Sequence, residues 1–157
     1  VRRRSLSSLA AAGVVLTLTG CGSTAGVEPG PTASAPLCAE VLRVLPEELS
    51  GAERRSTNSQ ATAAWGDPAI ALRCGVSPPG PTTDRCISVT GADGTQVDWV
   101  MTPLGEAAED TWQFTTYGQV PAIEVTVPVD YAGDDATTTL VDLGAAVALT
   151  DQQRTCV

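Results

Sequence analysis

The sequence predicts an α+β domain: a mostly antiparallel sheet of about five strands, flanked by an N-terminal and a C-terminal helix and braced by two disulfides. Three observations point there. Apolar residues recur at helical spacing near the start and the end of the folded part. Between them, short runs alternate with period two and are separated by Gly-, Pro- and Asp-bearing turns. Four cysteines fall within the same stretch.

In chain order, Leu37, Val41, Leu42, Leu45 and Leu49 keep helical spacing, and Pro46 ends or bends this first helix. Residues 50–62 are polar and read as irregular. Ala69-Ile70-Ala71-Leu72 reads as a short strand. Ile87-Ser88-Val89 and Val97-Asp98-Trp99-Val100 read as strands paired across Asp93-Gly94, a dipeptide suited to a tight turn. Trp112 to Tyr117 is rich in strand formers, with Trp112 and Phe114 on one face and Tyr117 on the other. Gly118 breaks that run, and Ile123 to Val127 alternates after Pro121, giving a second hairpin. Leu140, Leu143 and Val147 predict a closing helix with Asp134, Asp135 or Thr137 as its cap, although Thr137-Thr138-Thr139 and Gly144 favour it poorly.

Ahead of this domain lies a segment with a different character. Arg2, Arg3 and Arg4 precede an apolar stretch from Leu6 to Leu18, too short for a membrane span and of the length of a signal-peptide core. It ends in Leu18-Thr19-Gly20-Cys21, the pattern of a lipobox: an aliphatic residue, two small residues, then the cysteine that takes the lipid. Residues 1–20 are therefore expected to be a signal peptide and Cys21 the lipidation site. A diacylglyceryl group brings two chains, enough for stable anchoring. Residues 22–36 are small, polar and rich in Gly and Pro, and are expected to form a flexible tether with a reach of about 20 Å. Residues 37–157 are expected to be one globular domain.

Composition excludes several chemistries. The chain has nine basic and 18 acidic residues and no His; every basic residue is Arg. Loss of residues 1–20 would leave six Arg against 18 acids, a net charge of −12. So acidic a surface repels phosphate backbones, and nucleic acid is not an expected partner. Without His there is no Ser-His-Asp or Cys-His catalysis, and without Lys no Schiff base. No cofactor and no metal centre are expected.

Beyond Cys21, the even number of cysteines (Cys38, Cys74, Cys86 and Cys156) suits two disulfides in an exported chain, with three possible connectivities. The favoured one joins Cys74 to Cys86 around the Pro78-Pro79-Gly80-Pro81 loop and leaves Cys38 for Cys156. Loop-closure entropy values the long bridge at about 4–5 kcal/mol and the short one at about 3 kcal/mol.

Several segments together carry a family resemblance: Arg54-Arg55-Ser56-Thr57, Thr62-Ala63-Ala64-Trp65-Gly66-Asp67-Pro68-Ala69-Ile70, Leu72 to Val76, Val97-Asp98-Trp99, Phe114 to Gly118, Val125 to Pro128 and Leu140 to Leu143. In these the chain resembles the actinobacterial lipoprotein family of domain of unknown function 3515, over most of Cys38 to Cys156. The Asp-Gly turn within residues 92–96 departs from the family pattern and suggests a longer hairpin tip. The resemblance implies a small exported envelope protein and transfers no catalytic residue.

Candidate site residues follow from the scarce side chains. Arg54, Arg55 and Arg73 could together hold a carboxylate or phosphate, or each could pair with a neighbouring acid such as Glu47, Glu48, Glu53 or Asp67. Trp65, Trp99, Trp112 and Tyr117 could line a groove or pack the core. Trp65-Gly66-Asp67-Pro68 reads as a turn whose Trp plugs the core edge. Asp130, Asp134 and Asp135 lack the pattern of a calcium loop and suit helix capping better. Asp98 with Glu124 or Asp142 could form an acid pair for glycoside hydrolysis. The expected function is a membrane-anchored, non-catalytic binding or interaction module at the outer face of the cell membrane, with an envelope protein or cell-wall ligand as partner. The alternative is a small carboxylate-dependent envelope hydrolase.

Overall fold

The computed structural model describes residues 23–103, 110–132 and 135–156. Residues 1–22, with the expected lipidation site Cys21, and Asp134 lie outside these residues. Helix α1 (Pro36–Val44) starts with Pro at its first turn, where the missing N–H costs nothing, and ends ahead of Pro46, whose ring holds Leu45 extended at ψ 143°. Cys38, Val41 and Leu45 form its buried stripe.

The strands follow as β1 (Glu48–Leu49), β2 (Ala52–Arg55), β3 (Thr62–Trp65), β4 (Ile70–Val76), β5 (Arg85–Thr90), β6 (Gln96–Pro103), β7 (Thr111–Thr116), β8 (Gln119–Val120) and β9 (Ala122–Pro128). After them come α2 (Val129–Ala132), α3 (Thr137–Val141), α4 (Gly144–Val147) and β10 (Asp151–Gln152). Eight strands form one antiparallel sheet in the order β1-β2-β3-β4-β9-β7-β6-β5, and β8 pairs with β10 beside it. The α+β class and the antiparallel sheet agree with expectation, but the large sheet has eight strands rather than about five. Two meanders, β1 to β4 and β5-β6-β7-β9, meet where β4 pairs with β9.

Period two gives this sheet two distinct faces. Trp65, Ile70, Leu72, Cys74, Val97, Trp99, Phe114, Ile123, Val125 and Val127 point to one face and form the core with the helices, joined there by Leu140, Leu143 and Val147. Arg55, Ala64, Ala71, Arg73, Cys86, Ser88, Asp98, Gln113, Thr115 and Glu124 point the other way, because they alternate with core residues or sit opposite one another in the register.

That second face is crossed by both ends of the described chain. Residues 23–36 are not a free tether. Ala25 bridges Thr57 in parallel, Val27 donates its N–H to Asn58, and Thr32 donates to the Gly75 carbonyl at 2.9 Å. Ala25 and Val27 are buried against Ala64, with Ala69 and Ala71 alongside. The small side chains that suggest a spacer are what let this strap lie close to the sheet. Gly75, at φ +84°, faces the Thr32 backbone, and any Cβ there would collide with it.

The disulfides join Cys38 to Cys74 and Cys86 to Cys156, with Cα–Cα distances of 5.5 and 6.0 Å. This corrects the favoured pairing of Cys74 with Cys86 and Cys38 with Cys156. Cys74 points into the helix face from β4, whereas Cys86 points to the opposite face from β5, at the far edge of the sheet. A bond between them would have to pass through the sheet.

Residues 50–62 also differ from expectation. They hold β2, which follows a turn at Ser50 (φ +51°) and Gly51 (φ +77°). The closing helix is divided into α3 and α4 at Asp142–Leu143. Among the described residues no helix is long and apolar enough to cross a membrane.

Candidate functional site

The three arginines singled out in the sequence are separated by the fold. Arg54 opposes Trp65 on the helix face; its guanidinium lies 5.9 Å from the indole centroid and donates to the carbonyls of Leu42 and Leu45. It thereby caps the carbonyl end of α1, with exposed Glu47 3.7 Å away. Arg55 points to the opposite face and donates to the Gly66 carbonyl and to Ser23, with Asp67 at 3.7 Å. Arg73 donates from Nε to Glu124 Oε1 at 2.6 Å across the β4–β9 pair. Each has a structural partner, and they do not form one anion site.

The aromatic candidates also divide. Trp65 is fully buried and donates to the Pro46 carbonyl, so it plugs the core beside the Gly66–Asp67 turn. Asp67 itself is exposed, and its N–H donates to the Tyr131 hydroxyl. Trp99 is fully buried, and its indole N–H has no partner among the described residues. Tyr117 is half-buried beside the Cys86–Cys156 bridge, in a recess of about 60 Å³. None of the three indoles lines a groove on the strap face.

The carboxylates proposed as an acid pair are structural. Asp98 accepts from Ser88 Oγ and from the Cys156 N–H, and Glu124 accepts from Arg73 and Gln113. Asp98 lies on β6 and Glu124 on β9, with β7 between them, so their backbones stand about 10 Å apart or more, and their carboxyls are bound away from one another, to Ser88 on β5 and Arg73 on β4. Glycosidic pairs need about 5–9.5 Å with room for sugar or water. Asp142 is exposed on the helix layer, across the sheet from both. Among the described residues no cluster of His, Cys, Asp and Glu is arranged to hold a metal ion. Asp135, in the turn just ahead of α3, accepts from the Thr137 hydroxyl and from its N–H. Those two bonds, the hydroxyl's first, hold the Asp135 carboxyl below its ordinary value.

The site that the sequence did not reveal is a cleft of about 380 Å³ on the helix face, over the β5-β6-β7 end of the sheet. Among the described residues, the helices leave the sheet partly uncovered here. Ile87, Met101, Trp112 and Phe114 form its floor, because each points to the helix face in register with its neighbours: Met101 opposes Phe114 and Ile87 opposes Trp99. Phe114 is buried, whereas Ile87, Met101 and Trp112 remain half-buried. Arg85 stands on one rim, with no ion pair to any described residue, and Asp135 and Thr137 stand on the other. The only prior sign of this cleft was Trp112; Arg85 and Asp135 reach it through the edge strand and the turn ahead of α3, which spacing alone does not connect.

The fold and cleft define a disulfide-braced α+β domain with a recess of apolar floor and polar rim, bordered by one cation and one anion. The model of the family described as "Protein of unknown function (DUF3515)" matches residues 9–156, and the chain belongs to that family. No curated protein and no solved structure matches the chain.

Proposed function

We propose that the chain is an exported lipoprotein, anchored through Cys21 to the outer face of the cell membrane, whose domain is a non-catalytic binding module of the cell envelope. The basic leader, the short apolar core and the Leu18-Thr19-Gly20-Cys21 ending support the address, as do two disulfides suited to an oxidising compartment. The observation that carries the binding role is the cleft: an apolar floor of Ile87, Met101, Trp112 and Phe114 beneath a polar rim of Arg85, Asp135 and Thr137, in a volume of about 380 Å³ that a small ligand could enter. The carboxylates that a hydrolase would need are committed to Ser88, Cys156, Arg73 and Gln113.

The binding role is tested with anilinonaphthalene sulfonate, an aromatic anion matched to the floor and to Arg85. The full chain should bind it at one site with a rise in fluorescence, and Met101→Glu should abolish that rise. Absence of binding, or undiminished binding by the variant, defeats the reading. For the address, Cys21→Ala should lose labelled palmitate and membrane association; a variant that keeps both defeats it.

A further inference from the structure

We infer that β5 is a self-pairing edge and that two copies of this chain join through it into one continuous antiparallel sheet. The inference does not rest on the lipid anchor or on occupancy of the cleft. The large sheet has two edges of very different kind. β1, at one end, is two residues long, whereas β5, at the other, is six residues long and pairs only with β6 among the described residues. Exposed edges are normally blunted by charge, proline, a bulge or brevity. From Cys86 to Thr90 the strand has no charge and no proline, and its register with β6 is unbroken.

The backbone groups that face outward follow from the ladder. Gly91 donates to Thr95 at the hairpin tip, so Gly91 and Thr95 form a hydrogen-bonded pair. Pairs alternate from there: Val89 with Val97 and Ile87 with Trp99 bond across β5 and β6. Cys86, Ser88 and Thr90 therefore turn their N–H and C=O groups away from β6. These three positions are symmetric about Ser88.

A two-fold axis at Ser88 would set Ser88 against its own copy and Cys86 against Thr90 of the other, satisfying that outward row. On the helix face the same register sets Ile87 against Val89 of the other copy, twice, covering side chains that are half-buried in the single chain. On the strap face only Cys86, Ser88 and Thr90 meet. Arg85, the one charged residue of the strand, comes beside the exposed Asp93 turn of the second copy. This is the charge complementarity that selects a second copy of so acidic a chain. The two clefts would then lie on the same side of a continuous sheet.

Sedimentation of the full chain should give twice its 16.0 kDa mass. Thr90→Pro removes an outward donor without a bond to β6, so it should sediment as a monomer with unchanged near-UV circular dichroism. Ser88→Cys should form an intermolecular disulfide on mild oxidation, because a hydrogen-bonded pair sets Cα atoms about 5.5 Å apart, within disulfide reach. Thr90→Cys should not, since the two copies of that position stand about 13 Å apart along the strands. A monomeric wild type, a Thr90→Pro variant that remains dimeric, or equal cross-linking at positions 88 and 90 would each overturn the proposal. Should Thr90→Pro fail to fold, the pair of cysteine variants decides alone.

Discussion

The backbone N–H of Cys156 donates to Oδ2 of Asp98 at 2.8 Å, and this carboxylate, 2% exposed, takes Ser88 Oγ on its other oxygen. One buried acid thus ties the C-terminal tail to the middle of β6 and to the edge strand. Asp98→Ala leaves both donors without their acceptor and should cost about 1–3 kcal/mol in urea unfolding. Asp98→Asn, which keeps one carbonyl oxygen, should cost less. An unchanged midpoint for the alanine variant would show that the tail is held by the disulfide alone.

Peptide mapping without reduction should recover Cys38 linked to Cys74 and Cys86 linked to Cys156. The bridges span 36 and 70 residues, so loop-closure entropy assigns about 4 kcal/mol to each, with the longer one slightly ahead. Replacing Cys86 and Cys156 together by Ser should therefore lower stability by up to that amount. Recovery of a Cys74–Cys86 peptide would refute the arrangement.

Gly75→Ala should release the N-terminal strap while leaving the sheet folded. The left-handed backbone at this position disfavours any Cβ by about 1–3 kcal/mol, and the new methyl group would meet the Thr32 backbone. Limited proteolysis should then cut within residues 26–32, which the wild type protects. Equal protection in both proteins would mean that the strap does not need this close approach.

The Asp135–Thr137 turn should be visible in acid. Its bonds to Thr137 lower its folded-state pKa below the unfolded value, so its stabilising effect is present above the unfolded pKa and fades as pH falls through the folded one. Asp93 behaves alike, through the N–H and hydroxyl of Thr95. Asp135→Ala should thus be less stable than wild type at neutral pH, with the gap closing below about pH 4. A gap independent of pH would assign the effect to packing rather than to the carboxylate.

How much of this was legible in the sequence varied with how local its cause was. The hairpins β5–β6 and β7–β9 could be read because period two, Asp93-Gly94 and Pro121 are local signals. β2 could not, because Glu53-Arg54-Arg55 looks like loop; its helix-face residues are the small, buried Ala52 and Arg54, whose guanidinium lies over Trp65. The break between α3 and α4 falls just ahead of Gly144, which packs on Gly91, with its missing Cβ 3.0 Å from the Gly91 Cα. The disulfide pairing depended on which face each strand turns to, and no cysteine spacing encodes that. The cleft was hidden for a related reason: its rim joins residues 50 positions apart along the chain.

The connectivity of the bridges bears on how the chain is made. Apart from Cys21, each cysteine bonds the next one along the chain, Cys38 with Cys74 and then Cys86 with Cys156, so the loops are consecutive rather than nested. The first can close before Cys86 has emerged. An oxidant that meets the thiols as they appear forms native bonds without reshuffling. Loops in this order let the amino-terminal meander be sealed before the carboxy-terminal bridge forms.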